Sequence, residues 1–166
     1  MAPKWKGGSP GEWLWAPEEM RWRRVYSGRL DQVQAACVFA GRLFAGERCA
    51  DVVEKAVSEL GGNAIRHTRS GEEGGWFGLE VVYADPVYVA VTDLGGYGRP
   101  CVRPANSAAQ TQGPGRGLQI LAELAVTLGI HGSPDLGHTV WVDLDLHGEP
   151  EAGPQTGHRP KPVLVG

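Results

Sequence analysis

The sequence predicts an α/β fold in two layers, a mixed and mostly antiparallel sheet with helices on one face. Three observations predict it. Three segments carry apolar residues at spacings of three and four, the pattern of helices that bury one side. Two short apolar segments, residues 77–83 and 87–92, flank the turn pair Asp85-Pro86 and so form an antiparallel hairpin. The elements follow in the order strand, helix, helix, hairpin, glycine-rich stretch, helix, strand, which places the hairpin inside one sheet rather than in a separate unit.

Residues 21–30 read as the first strand. Residues 31–44 read as a helix with Asp31 as its N-cap and Val33, Ala36, Cys37, Ala40, Leu43 and Phe44 as its apolar stripe. Residues 50–68 read as a second helix that turns Val53, Ala56, Val57, Leu60 and Ala64 inward. In the hairpin, Phe77, Leu79, Val81 and Tyr83 share one side. Residues 93–117 are mostly Gly, Pro, Arg and small polar residues. Residues 118–128 read as a third helix, with Leu118, Leu121, Leu124, Ala125 and Leu128 on one face and Gly129 as its stop. In residues 139–146, Val140, Val142, Leu144 and Leu146 alternate with Trp141, Asp143 and Asp145, the period of a strand.

These elements make one domain over residues 21–147. Before it, residues 1–20 hold Trp5, Trp13 and Trp15 among Gly and Pro and read as an arm that packs on the domain or on a second copy. After it, residues 148–166 read as a disordered tail rich in Pro and Gly. With 166 residues and 42% apolar content, the chain can bury a core without disulfide staples. Its three cysteines, an odd count with no C-x-x-C spacing, fit reduced thiols in a cytoplasmic protein. A net charge of -3 with mixed signs leaves no basic nucleic-acid footprint. No apolar stretch approaches the ~20 residues of a membrane span.

Four clusters carry chemistry. Glu59, Asn63 and His67 recur every four residues and line up along the second helix beside its apolar stripe. Asp93-Leu94-Gly95-Gly96-Tyr97-Gly98 follows a strand directly, so a rigidly held carboxylate meets glycines that let backbone approach a ligand. Gly113-Pro114-Gly115-Arg116-Gly117-Leu118 opens a helix, where free N–H groups form an anion site and Arg116 can add charge. It is neither a P-loop nor a dinucleotide-binding fingerprint. Gly137-His138-Thr139 opens the last strand. Each cluster alone is equally readable as solvated helix, turn, flexible loop or strand start.

Taken in order, the four resemble the GHKL ATPases: an asparagine box on a helix, an Asp-glycine box, a glycine box opening a helix, and a final Gly-x-Thr strand. Ala56-Val57-Ser58-Glu59-Leu60 followed by Asn63-Ala64-Ile65-Arg66-His67-Thr68 narrows the resemblance to small anti-sigma factor serine kinases. Gly115-Arg116-Gly117-Leu118 and Thr139-Val140-Trp141 fit the actinobacterial members. The resemblance covers residues 21–146. It implies a Bergerat-type ATP-binding fold with ATP and Mg²⁺ as ligands. Asn63 is then the Mg²⁺ ligand, with His67 beside it. Asp93 accepts from the adenine amino group, Gly95 and Gly98 line the base pocket, and Thr139 supports the base. Gly115, Gly117 and Leu118 hold the phosphates, residues 99–114 form a lid, and Arg103 and Arg116 contact phosphate. Glu59 is the general base. The implied substrate is a STAS-type anti-anti-sigma protein and the competing partner an alternative sigma factor, with a homodimer also implied. The alternative is a non-catalytic ATP-binding module that binds a sigma factor or another partner without phosphoryl transfer. A histidine kinase catalytic domain would need a phosphoacceptor His on a dimerisation helix, which residues 1–20 do not offer. Gly61 and Gly62 inside the second helix depart from helix preference at about 1 kcal/mol each, for which close packing or ligand approach is the expected compensation.

Overall fold

The structure, a computed structural model, describes residues 19–96, 116–148 and 164–165. The chain runs β1 (Met20–Ser27), α1 (Leu30–Leu43), α2 (Ala50–His67), a 3-10 turn (Arg69–Gly71), β2 (Trp76–Tyr83), β3 (Val87–Thr92), α3 (Arg116–Leu124), β4 (Thr127–Ser133), β5 (Gly137–Leu144) and β6 (Leu164–Val165). The strands form one sheet in the order β1-β2-β3-β5-β4-β6. Neighbours are antiparallel except β6, which pairs in parallel with β4. This is the two-layer α/β arrangement the periodicities predict.

Strand alternation decides which face holds the core. Phe77, Leu79 and Val81 of β2, Val87, Val89 and Val91 of β3, and Val140, Val142 and Leu144 of β5 are buried against the helices. The helices return Val33, Ala36 and Ala40 from α1, Val53, Ala56, Val57 and Leu60 from α2, and Leu118 and Leu121 from α3. Each fully buried Leu, Val or Phe contributes about 1.5–3 kcal/mol relative to exposure, so this shared stripe is the main stabilising term. Close helix packing also accounts for one of the two glycines inside α2. A Cβ on Gly61 would lie 3.2 Å from a Val33 methyl carbon of α1, whereas one on Gly62 would meet the Arg66 side chain.

The other face of the sheet carries Arg23, Trp76, Glu80, Tyr88, Thr139, Trp141 and Asp143, and none of the described helices packs there. Tyr88 and Trp141 stack at 5.9 Å between centroids, Trp141 lies over Gly129 of β4, and Arg23 pairs with Glu80 at 2.9 Å. A hollow of about 260 Å³ opens on this face between Glu19, Arg21, Val82, Ala84, Pro86, Tyr88 and Asp143, and burial pushes the Asp143 carboxyl above its ordinary pKa.

Three expectations change. The third helix stops at Leu124, and Leu128 and Gly129 belong to β4 instead of a longer helix. The Val126 N–H donates to the Asp143 carbonyl and so starts a ladder that β5 completes, while Ala125 still closes the helix through the Leu121 carbonyl. Asp31 lies in the first turn of α1, not at its cap. The N-cap is Arg29, whose guanidinium pairs with Asp31 at 2.9 and 3.0 Å. The tail is not wholly without structure, because Leu164–Val165 pairs with Leu128 and Gly129. Residues 1–18, 149–163 and 166 lie outside the described residues, and so do the roles expected of arm and remaining tail.

Candidate nucleotide site

The site is assembled where the C-terminal half of α2 meets the end of β3 and the start of α3. Four-residue spacing lines up Glu59, Asn63 and His67 on α2, with Glu59 and Asn63 half-buried and His67 exposed on the last turn. Two contacts fix this line against the rest of the site. At its N-terminal end, a Cβ on Gly117 would collide with the Glu59 carboxylate, so the first turn of α3 lies directly against that acid. A side chain at position 117 would force the Glu59 carboxylate to swing away.

At the other end, the chain leaving α2 ties itself to the loop after β3. Thr68 Oγ1 donates to the Ala64 carbonyl at 2.6 Å and accepts from the Ser70 N–H at 3.1 Å, which turns the chain out of the helix. Ser70 Oγ then accepts the Leu94 N–H at 3.0 Å, and the Arg69 N–H donates to the Gly95 carbonyl at 2.7 Å. The Arg69 guanidinium donates to the carbonyls of Leu94, Pro134 and Asp135 at 2.8–3.3 Å, clamping the β3 loop to the β4–β5 turn. Asn63 lies between these two anchor points on the same face of α2.

Asp93 is 5% exposed. Its Oδ1 accepts the Gly95 N–H at 2.6 Å and the His138 N–H at 3.0 Å, which fixes the carboxylate. Both of these bonds go to the same oxygen, Oδ1. Gly95 and Gly96 have φ of +70° and +124°, and a Cβ on Gly95 would strike the Pro134 carbonyl, so the loop can only be built from glycine.

The start of β5 holds a residue that the motif reading passed over. His138 shares the helix-covered face with Val140, Val142 and Leu144, is 1% exposed, and has its Nδ1 3.6 Å from Asp93 Oδ1. Among the described residues neither ring nitrogen has a hydrogen-bond partner. Thr139 points the other way: its Oγ1 shares a 2.8 Å hydrogen bond with Thr92 Oγ1 on the helix-free face. The two-residue period of the strand thus puts Thr139 on the face away from the Asp93 side chain and His138 on the same side as Asp93. That period was readable in the sequence, since the buried Val140 and Val142 place His138, not Thr139, on their side.

The structure thus brings together Glu59, Asn63, Asp93, Gly95, Gly117 and Leu118, leaves His67 at the exposed end of their line, and places Thr139 on the opposite face. Gly98, Arg103, Gly115 and the lid lie outside the described residues, as does the side chain of Arg116. Among the described residues no group of three or more His, Cys, Asp or Glu is placed to hold a metal by itself.

A carboxylate fixed through one oxygen, glycines that expose backbone, and a helix start beside an acid thus gather around the C-terminal half of α2. One comparison decides the family: the histidine kinase-like ATPase domain matches residues 26–144, from the end of β1 to the end of β5. The chain belongs to that family. It is an ATP-binding module with the GHKL-type fold. No curated protein matches the chain. Among the described residues no helix is long and apolar enough to cross a membrane.

Proposed function

We propose that the domain is a cytoplasmic serine/threonine protein kinase of the anti-sigma factor type, with Mg·ATP as phosphoryl donor and a STAS-type protein as acceptor. The observation that carries this reading is the placement of Glu59 against Gly117. A carboxylate beside the helix start that receives phosphate is where a hydroxyl attacking the γ-phosphate needs a base.

The residues divide the work. Asp93 orients the base through Oδ2 while Gly95 and His138 N–H groups hold Oδ1 still. The first N–H groups of α3, with the positive end of its dipole, attract the phosphates. Asn63 offers a neutral hard oxygen that suits Mg²⁺ held otherwise by phosphate and water. When bound, Mg²⁺ supplies charge neutralisation on the phosphates. Glu59 takes the proton of the acceptor serine, and fixed positioning supplies most of the remaining acceleration. A phosphate added to the acceptor would introduce charge at a surface shared with a competing sigma factor and so switch partners, with a homodimer presenting two such surfaces.

The test is transfer of labelled phosphate from ATP to candidate STAS proteins. Transfer is expected with the wild type, and Glu59→Gln should lower its rate about 10²- to 10⁴-fold while ATP affinity stays within about twofold. Tight ATP binding with no transfer to any acceptor would favour the non-catalytic module instead.

A further inference from the structure

The helix-free face of the sheet is more apolar than a solvated face needs to be. Val25 and Trp76 stand on it 69% and 39% exposed, beside the stacked Tyr88 and Trp141. A contiguous apolar patch of this kind marks a surface that something covers. At one end of it opens the hollow of about 260 Å³, with the Tyr88 ring and the Asp143 carboxyl among its walls. Burial raises the Asp143 pKa, and no cation among the described residues offsets it.

Glu19 also lines the hollow, so residues 1–18 join the domain at that point. They carry Trp5, Trp13, Leu14 and Trp15. Strands lie about 4.8 Å apart, and Tyr88 and Trp141 are two and three strands from β1, so about 10 and 14 Å away. Four and six extended residues span about 13 and 20 Å, which brings Trp15 to Tyr88 and Trp13 to Trp141. A spacing of two also puts both indoles on one side of an extended segment. We propose that residues 1–18 lie back across the helix-free face of their own domain, with Trp15 in the hollow beside Tyr88 and Trp13 against Trp141. An indole N–H, a donor only, then finds an acceptor in Asp143. The covalent link at Glu19 gives this arm a higher effective concentration than any separate chain.

The test uses the full chain without nucleotide, so it stands apart from the reading of the ATP site. Nuclear Overhauser contacts are expected between the Trp15 and Tyr88 rings and between the Trp13 and Trp141 rings. In an equimolar mixture of isotope-labelled and unlabelled chains, spectra filtered for contacts between chains should lack them. Replacing both tryptophans, Trp13→Ala with Trp15→Ala, should shift the amide signals of Tyr88, Trp141 and Asp143 and lower the melting temperature by about 4–8 °C. Absence of the ring contacts in the full chain, or amide signals on the face that stay still in the double variant, would overturn the proposal. Ring contacts that persist in the filtered spectra would overturn it too, by assigning the face to the arm of a second copy.

Discussion

Asp93 and Thr139 separate what a motif can say from what a side-chain direction adds. Both belong to boxes that read as nucleotide-binding, yet only Asp93 lies at the helix-covered side of the sheet. Asp93→Asn keeps an oxygen for the Gly95 and His138 N–H groups but replaces Oδ2 with a donor. ATP affinity should fall about tenfold or more, with little loss of melting temperature. Thr139→Ala breaks only the hydroxyl pair with Thr92 and should leave ATP affinity within about twofold. A titration of both variants checks the pair, and a large affinity loss for Thr139→Ala would return that residue to the site. Asp93, Glu59 and Asn63 stand out in the sequence because their spacing and their glycine neighbours are local features. His138 was hidden by its place inside a motif whose other members drew the attention, although strand alternation was enough to reveal it.

At the level of elements, the 3-10 turn after α2 joins the acid- and amide-bearing helix to the base loop. Its organiser is Arg69, which bonds Leu94, Pro134 and Asp135 through its guanidinium and Gly95 through its backbone. Arg69→Ala removes the side-chain bonds and keeps the backbone one. Because the clamp faces solvent, stability should fall by only about 1 kcal/mol, while ATP affinity falls more clearly as the Asp93 loop loosens. Thermal melts paired with nucleotide titration check this, and unchanged affinity would show that Ser70 and the glycine geometry suffice. Nothing in the sequence marked Arg69, since its partners are carbonyls 25 to 66 positions away. The same dependence on distant partners hid β4. Residues 125–128 continue a helical apolar pattern, and only the presence of β5 draws Thr127 and Leu128 into a strand. Helix pattern lost there to a ladder of tertiary hydrogen bonds.

For the whole molecule, the division of the sheet into a helix-covered face and a helix-free face was predictable from alternation, and so was the order of most elements. The sequence did not disclose that β4 and β5 form a second hairpin, or that β6 extends the sheet edge in parallel. The central proposal is spatial: the nucleotide binds between the C-terminal half of α2, the end of β3 and the start of α3, while the aromatic outer face takes no part. Backbone amide chemical shifts recorded during a titration with Mg·ATP test this most directly. The account predicts the largest shifts at Asn63, at residues 93–96, at Gly117 and at His138, with Trp76 and Trp141 nearly unmoved. Shifts concentrated on Trp76, Tyr88 and Trp141, with Asn63 and Asp93 silent, would contradict it.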